Sequence, residues 1–345
     1  MRKNGMFLVC ALALAFLSCG ADDAWVARIN GKQKITLQDY REEFNVFARK
    51  SGLSKDDVTR FYGSDDEKLA FLNKMIEKEL IYLEALTMKL DTNKTVITAI
   101  NEQCASQVVQ YYALSLVGGS NMIISDAEKR AAFDEMKGRI PNGAAIRYED
   151  VKRQIESLVQ QKKMTEMYRT IIESAKKEFN VTVDLSKDTI AEVGGVKILR
   201  SMVEDKIQKL EDNGLIPPGN RDRVRLDVAN DLVGTELLKL KSKKAGYWET
   251  PEGKTVYRLA KKQVLVEEYL LQRMKPLIKE TTDAEIDRMG DYAAQYGIAN
   301  LPYTEQRKRL AMIVKQGKMQ RIQEYIVKTL IEENRIEKKA EVIRE

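Results

Sequence analysis

The chain repeats itself, and that fixes how it can be divided. Met75–Leu83 and Leu232–Leu240 share a Glu-Leu step, Glu79-Leu80 against Glu236-Leu237, at a separation of 157 residues. Tyr112 and Tyr269 fall at the same separation, as do Ile124–Glu128 and Thr281–Glu285 with their common Asp-Ala-Glu. Further on, Tyr148–Met164 aligns with Tyr303–Met319 at a separation of 155, including a Gln-x-Lys-Met step at Gln161–Met164 and Gln316–Met319. A nearly constant offset over four landmarks implies one unit written twice. Each copy opens alike, with Trp25–Ile35 around Asn30-Gly31 and Thr189–Ile198 around Gly194-Gly195. Such pairs between short β-prone runs are the strongest local hairpin signal.

The rest of each unit has helical spacing. Leu69, Leu72, Met75, Ile76, Leu80 and Leu83 recur at three- and four-residue steps, on a helix expected to start at Ser64 with Glu67 closing a capping box. Ser125–Glu128 is a second start of that kind. Val151, Ile155, Leu158, Val159, Met164, Met167, Tyr168, Ile171 and Ile172 form another long stripe, and Phe179–Asp184 then alternates like a strand. The expected fold is mainly α: two tandem helical modules, 25–184 and 189–345, joined by a linker at 185–188 and each trimmed with a small antiparallel hairpin. The simplest assembly lets each unit's last strand pair with its own opening hairpin.

Residues 1–18 read as a secretory leader: Arg2 and Lys3, an apolar run from Met6 to Leu17, then small residues. That run is well short of the ~20 residues a membrane-spanning helix needs. Leu17-Ser18-Cys19-Gly20 resembles the lipobox of bacterial lipoproteins, which implies lipidation of Cys19 and a polar tether over 19–24. Ordinary cleavage near Ala21 would discard that cysteine instead. The expected location is the bacterial cell envelope, with the chain held to a membrane through Cys19 and facing the periplasm or the exterior.

With Cys10 in the leader and Cys19 lipidated, Cys104 alone would remain in the body, where it falls in a helical pattern as a small apolar residue. One thiol allows no disulfide within the mature chain, so the core must suffice. The formal charge of +6 drops to +4 without Arg2 and Lys3, too mild an excess to name a nucleic-acid partner. Histidine is absent, which removes histidine-dependent triads and the commonest metal ligand together. No acid pair, nucleophile motif or phosphate loop stands out, and neither enzyme activity, cofactor nor metal is expected.

The order hairpin, long helices, late helix and closing strand resembles the chaperone module of the SurA and PrsA type of exported folding factors. The residues that carry it are Ala27–Gly31, Gln161–Lys163 and Val181–Val183, then Ala191–Gly195, Gln316–Lys318 and Ile336. That family commonly carries a parvulin prolyl-isomerase domain of roughly a hundred residues ahead of the late helix. Here only Lys137–Arg147 and Gln295–Pro302 lie in the corresponding gaps, so the resemblance implies a chaperone-like module without isomerase activity.

A holding protein needs a concave apolar surface built from adaptable side chains, which methionine and tyrosine supply. The chain has 13 Met and 14 Tyr, and Tyr111, Tyr112, Met164, Met167, Trp248, Tyr269 and Met274 are the candidates for binding unfolded exported or outer-membrane proteins. The competing assignment for each is helix core. The competing function is an envelope scaffold for one partner in an outer-membrane assembly machine. The oligomeric state is not legible.

Overall fold

A computed structural model describes residues 24–53, 55–117, 124–139, 146–212, 215–216 and 219–344. The leader, Cys19, Gly118-Gly119 and Pro217-Pro218 lie outside the described residues. In chain order the elements are β1 (Trp25–Ile29), β2 (Gln33–Thr36), α1 (Leu37–Lys50), α2 (Lys55–Gly63), α3 (Asp65–Thr87), α4 (Lys94–Val117), α5 (Asp126–Arg139) and α6 (Tyr148–Glu178). They continue with β3 (Thr189–Val193), β4 (Val196–Leu199), α7 (Arg200–Asp212), α8 (Arg221–Lys244), α9 (Pro251–Met274), α10 (Asp283–Gly290), α11 (Tyr303–Glu333), β5 (Ile336–Lys338) and α12 (Ala340–Arg344). The fold is mainly helical, as the spacing predicts. None of the described helices is long and apolar enough to cross a membrane.

Both hairpins form at the turn pairs. Asn30 and Gly31 take φ of 52° and 69°, and Gly194 and Gly195 take 56° and 85°. Positive φ at both central residues matches the right-handed twist of the flanking strands. Each hairpin has an irregularity at its first residues, Trp25/Ala27 and Thr189/Ala191. Helix starts follow the local chemistry as well. Ser125 and Glu128 exchange backbone and side-chain hydrogen bonds in a full capping box. At Ser64 only half of the expected box is present: the hydroxyl accepts from the Glu67 N–H, but the Ser64 N–H donates to the Phe61 carbonyl and not to Glu67.

The tertiary contacts divide the chain into two compact units, one of residues up to Leu90 together with Val266 onward, the other Asp91–Leu265. The first unit holds a three-stranded sheet in the order β2-β1-β5. There Arg28 sits opposite Glu337, and their side chains pair at 2.6 Å. The second unit holds β3 and β4 packed on α7 and α8. Its core includes Ile190, Val193, Ile198, Val203, Ile207, Val233 and Leu237.

These pairings correct the expectation that each module closes on its own hairpin. The first hairpin is closed by the end of the chain, through β5. Phe179–Asp184 is not a strand, and it lies beside the second hairpin, where the Asp184 N–H donates to the Ile190 carbonyl at 2.8 Å. The cause is local. Asn180 adopts the left-handed conformation with φ of 53°, and the Val181 N–H caps α6 by donating to the Lys176 carbonyl at 2.9 Å. After α11 the cap residue Asn334, which stands where Phe179 does after α6, is extended, with φ of −118° and ψ of 138°, so the chain runs straight into β5.

Candidate functional site

In the second unit, α4, α6 and α8 enclose a groove of about 400 Å³. Val109, Ala113 and Leu114 come from α4, Met164 and Tyr168 from α6, and Leu238 from α8. Ser106, Gln110 and Thr235 add uncharged polar groups, and none of the lining side chains is charged. Helical periodicity places Val109 and Ala113 one turn apart, and Met164 and Tyr168 likewise, so two helices each present a short apolar edge to the same space. Such a groove accepts an apolar side chain without desolvating a charge, while the amide and hydroxyls can meet a peptide backbone. Burial pushes the Tyr168 phenol above its usual range.

Of the seven side chains singled out in the sequence, only Met164 lines this groove. Tyr111, 1% exposed, and Tyr112, Tyr269 and Met274 are buried among the core residues of their units. These four are packing residues here. Met167 is half-buried. Trp248 packs on the second unit's core, and its indole N–H donates to the Ser242 hydroxyl at 2.9 Å. The seven are divided between the two units, Tyr269 and Met274 in the first and the other five in the second.

One feature escaped the sequence reading. In the first unit, Tyr40, Phe44, Phe47, Phe61, Tyr62 and Phe71 form a connected aromatic cluster, with Phe44 stacked on Phe61 at 3.9 Å and edge-on to Phe71 at 5.5 Å. Phe47 and Tyr62 reach the surface, 46% and 42% exposed. The available signal was Tyr40, Phe44 and Phe47 at helical steps on α1, a short distance ahead of Phe61-Tyr62.

Two ion pairs set the helices that follow the Asp-Ala-Glu starts. Glu128 on α5 accepts from Lys163 on α6, adjacent to the groove's Met164, at 2.7 Å. Glu285 on α10 accepts from Lys318 on α11, also at 2.7 Å. The lysine hydrogen bond, aided by the capping N–H and hydroxyl of Ser125, holds the Glu128 carboxyl down at about 2. Lys318 and Thr282 do the same for Glu285, also to about 2. Both carboxylates are fully ionised struts and poor proton donors.

Cys104 is buried on α4, its thiol directed at the Tyr257 carbonyl at 3.6 Å, and burial pushes its pKa up to about 11. A protonated, enclosed thiol is not a nucleophile. Among the described residues no group of three Cys, Asp or Glu side chains could hold a metal ion. No protein-family model, curated protein or solved structure matches this chain.

Proposed function

We propose that this chain is an extracytoplasmic holding protein, anchored through lipid on Cys19, that receives apolar side chains of unfolded exported proteins and performs no covalent chemistry. The observation that carries the reading is the groove between α4, α6 and α8, apolar at Met164, Tyr168 and Leu238 and free of charged lining. Methionine and tyrosine let one cavity accept side chains of differing shape. The resemblance to the SurA and PrsA type of module supports the same reading.

The same proposal includes duplication of one module. It is supported by α4 and α9, each of 24 residues, and by α6 and α11, each of 31. The repeated Glu–Lys pairs add to it. So does the closing bond: the Asp184 N–H meets the Ile190 carbonyl as the Lys339 N–H meets the Val26 carbonyl.

A second reading, the scaffold with one dedicated partner, is favoured by the aromatic cluster, because rigid rings with exposed edges at Phe47 and Tyr62 suit a fixed interface. The test is light scattering of an unfolded outer-membrane protein, with prolyl isomerisation of a peptide followed in parallel. The holding protein suppresses aggregation near stoichiometry and shows no isomerase rate, and Met164→Asp, which puts a charge into the groove, loses the suppression. No suppression by the unaltered chain turns the assignment to the scaffold.

A further inference from the structure

The first strands of the two hairpins match residue for residue, Ala27 with Ala191 and Ile29 with Val193, although the first turn is one residue longer (Ile29 pairs with Gln33, Val193 with Val196), and the hairpins differ at one edge. On β1 the backbone groups of Val26, Arg28 and Asn30 face outward and are covered by the chain's end: the Lys339 N–H donates to Val26, Glu337 lies opposite Arg28, and the Asn30 N–H donates to Arg335. On β3 the Ile190 carbonyl takes the one bond from Asp184. Outward-facing groups recur every second residue along a strand, so the next pair belongs to Glu192. Among the described residues nothing pairs with the outer N–H or carbonyl of Glu192, and β3 has β4 as its one strand neighbour there. The segment 179–184 packs beside this hairpin without forming a strand on it, because Asn180 is left-handed, the Val181 N–H is committed to α6 and the Val181 side chain is buried in the core.

We infer that the outer edge of β3, centred on Glu192, is a strand-acceptor site for an extended segment of another polypeptide carrying a basic residue opposite Glu192. The occupied edge shows what an occupant needs. On β1 the central residue is Arg28, and its covering strand presents Glu337 directly opposite, paired at 2.6 Å. The equivalent centre of β3 has the opposite charge, so its complement is lysine or arginine. Glu192 is exposed and makes no ion pair among the described residues, although Lys197 stands across from it on β4. The flanking Ile190 and Val193 are buried, which ties the edge to a fixed core. Two copies of β3 pairing antiparallel about this point would set Glu192 against Glu192, and like charges directly opposite are destabilising. The site therefore fits a basic extended segment and not a second copy. It rests on the comparison of the hairpins and holds independently of the groove between α4, α6 and α8.

Hydrogen exchange on the full chain tests this with two synthetic seven-residue peptides that alternate valine and threonine around a central lysine or a central glutamate. The lysine peptide slows exchange of the amides in 189–196 and leaves 25–36 unchanged. It binds about two- to fivefold more tightly than the glutamate peptide, the worth of one opposite-charge cross-strand pair. Glu192→Lys, a change at an exposed position, reverses that preference. Absence of protection over 189–196 overturns the inference, and so does equal protection by both peptides. Protection confined to 106–114 also overturns it while supporting the groove. Concentration-dependent self-protection of 189–196 without peptide overturns it in favour of pairing between copies.

Discussion

Glu128 on α5 and Lys163 on α6 face each other at 2.7 Å, and the two residues come from motifs that the sequence repeats, the Asp-Ala-Glu helix start and the Gln-x-Lys-Met step. Glu285 and Lys318 make the same contact from the second occurrence of the same motifs. Motifs far apart along the chain are thus two ends of one bond. The repeated residues hold the late helix against the short helix before it.

Acid should act on this pair of bonds. Each glutamate falls from about 4.5 in the unfolded chain to about 2 when folded. A depressed carboxyl pKa gives stability that is complete above the unfolded value and is lost as pH falls toward the folded one. The midpoint of urea unfolding should therefore decline between about pH 4.5 and 2. The double variant Lys163→Met with Lys318→Met should flatten that decline, and an unchanged slope would mean that other carboxylates govern it.

Tyr111 and Tyr168 separate packing from binding. Tyr111→Ala removes a side chain that is 1% exposed and should cost about 3–5 kcal/mol in urea unfolding, as for other large core truncations. Tyr168→Ala opens the wall of the groove and should weaken suppression of aggregation more than it lowers the unfolding midpoint.

The aromatic cluster should have a centre and a rim. Phe44 is fully buried and touches four other rings, so Phe44→Ala should cost about 3–5 kcal/mol. Phe47→Ala, at a half-exposed rim, should change stability by less than about 1 kcal/mol. Parallel urea titrations decide this, and equal losses would contradict the burial.

Cys104 should resist thiol reagents at pH 8 in the folded chain and react once the chain is unfolded. Its pKa is about 11 folded against 9.0 for an unperturbed thiol. The folded state keeps its proton over that window, so this group's contribution declines as pH rises from 9 toward 11. Cys104→Ala should remove that share of the alkaline loss of stability.

Ending the chain at Glu333 removes β5 and α12 and should speed amide exchange over 25–36 while sparing 189–199. The opposite pattern would place the closing segments with the other hairpins.

Local chemistry is what the sequence determined. Glycine and asparagine pairs set both turns, Ser125 and Glu128 cap α5, and apolar residues at helical steps mark the buried faces of α3 and α6. Each of these depends on neighbours within about one helical turn or one hairpin, so spacing alone reveals it. Two matters were settled only in the tertiary structure. Along α4, Val96, Ile100, Cys104, Val108, Val109, Tyr111, Tyr112 and Ala113 are all buried, and Val109 and Ala113 also border the groove, because a helix apolar around much of its circumference shows no single core face until its neighbours are placed. The closing segments went to unexpected hairpins for a related reason. Asp184 is separated from β3 by only the short link 185–188, so closure onto the second hairpin costs little chain entropy. The first hairpin is completed instead from the far end of the chain, where an extended Asn334 delivers β5 to β1.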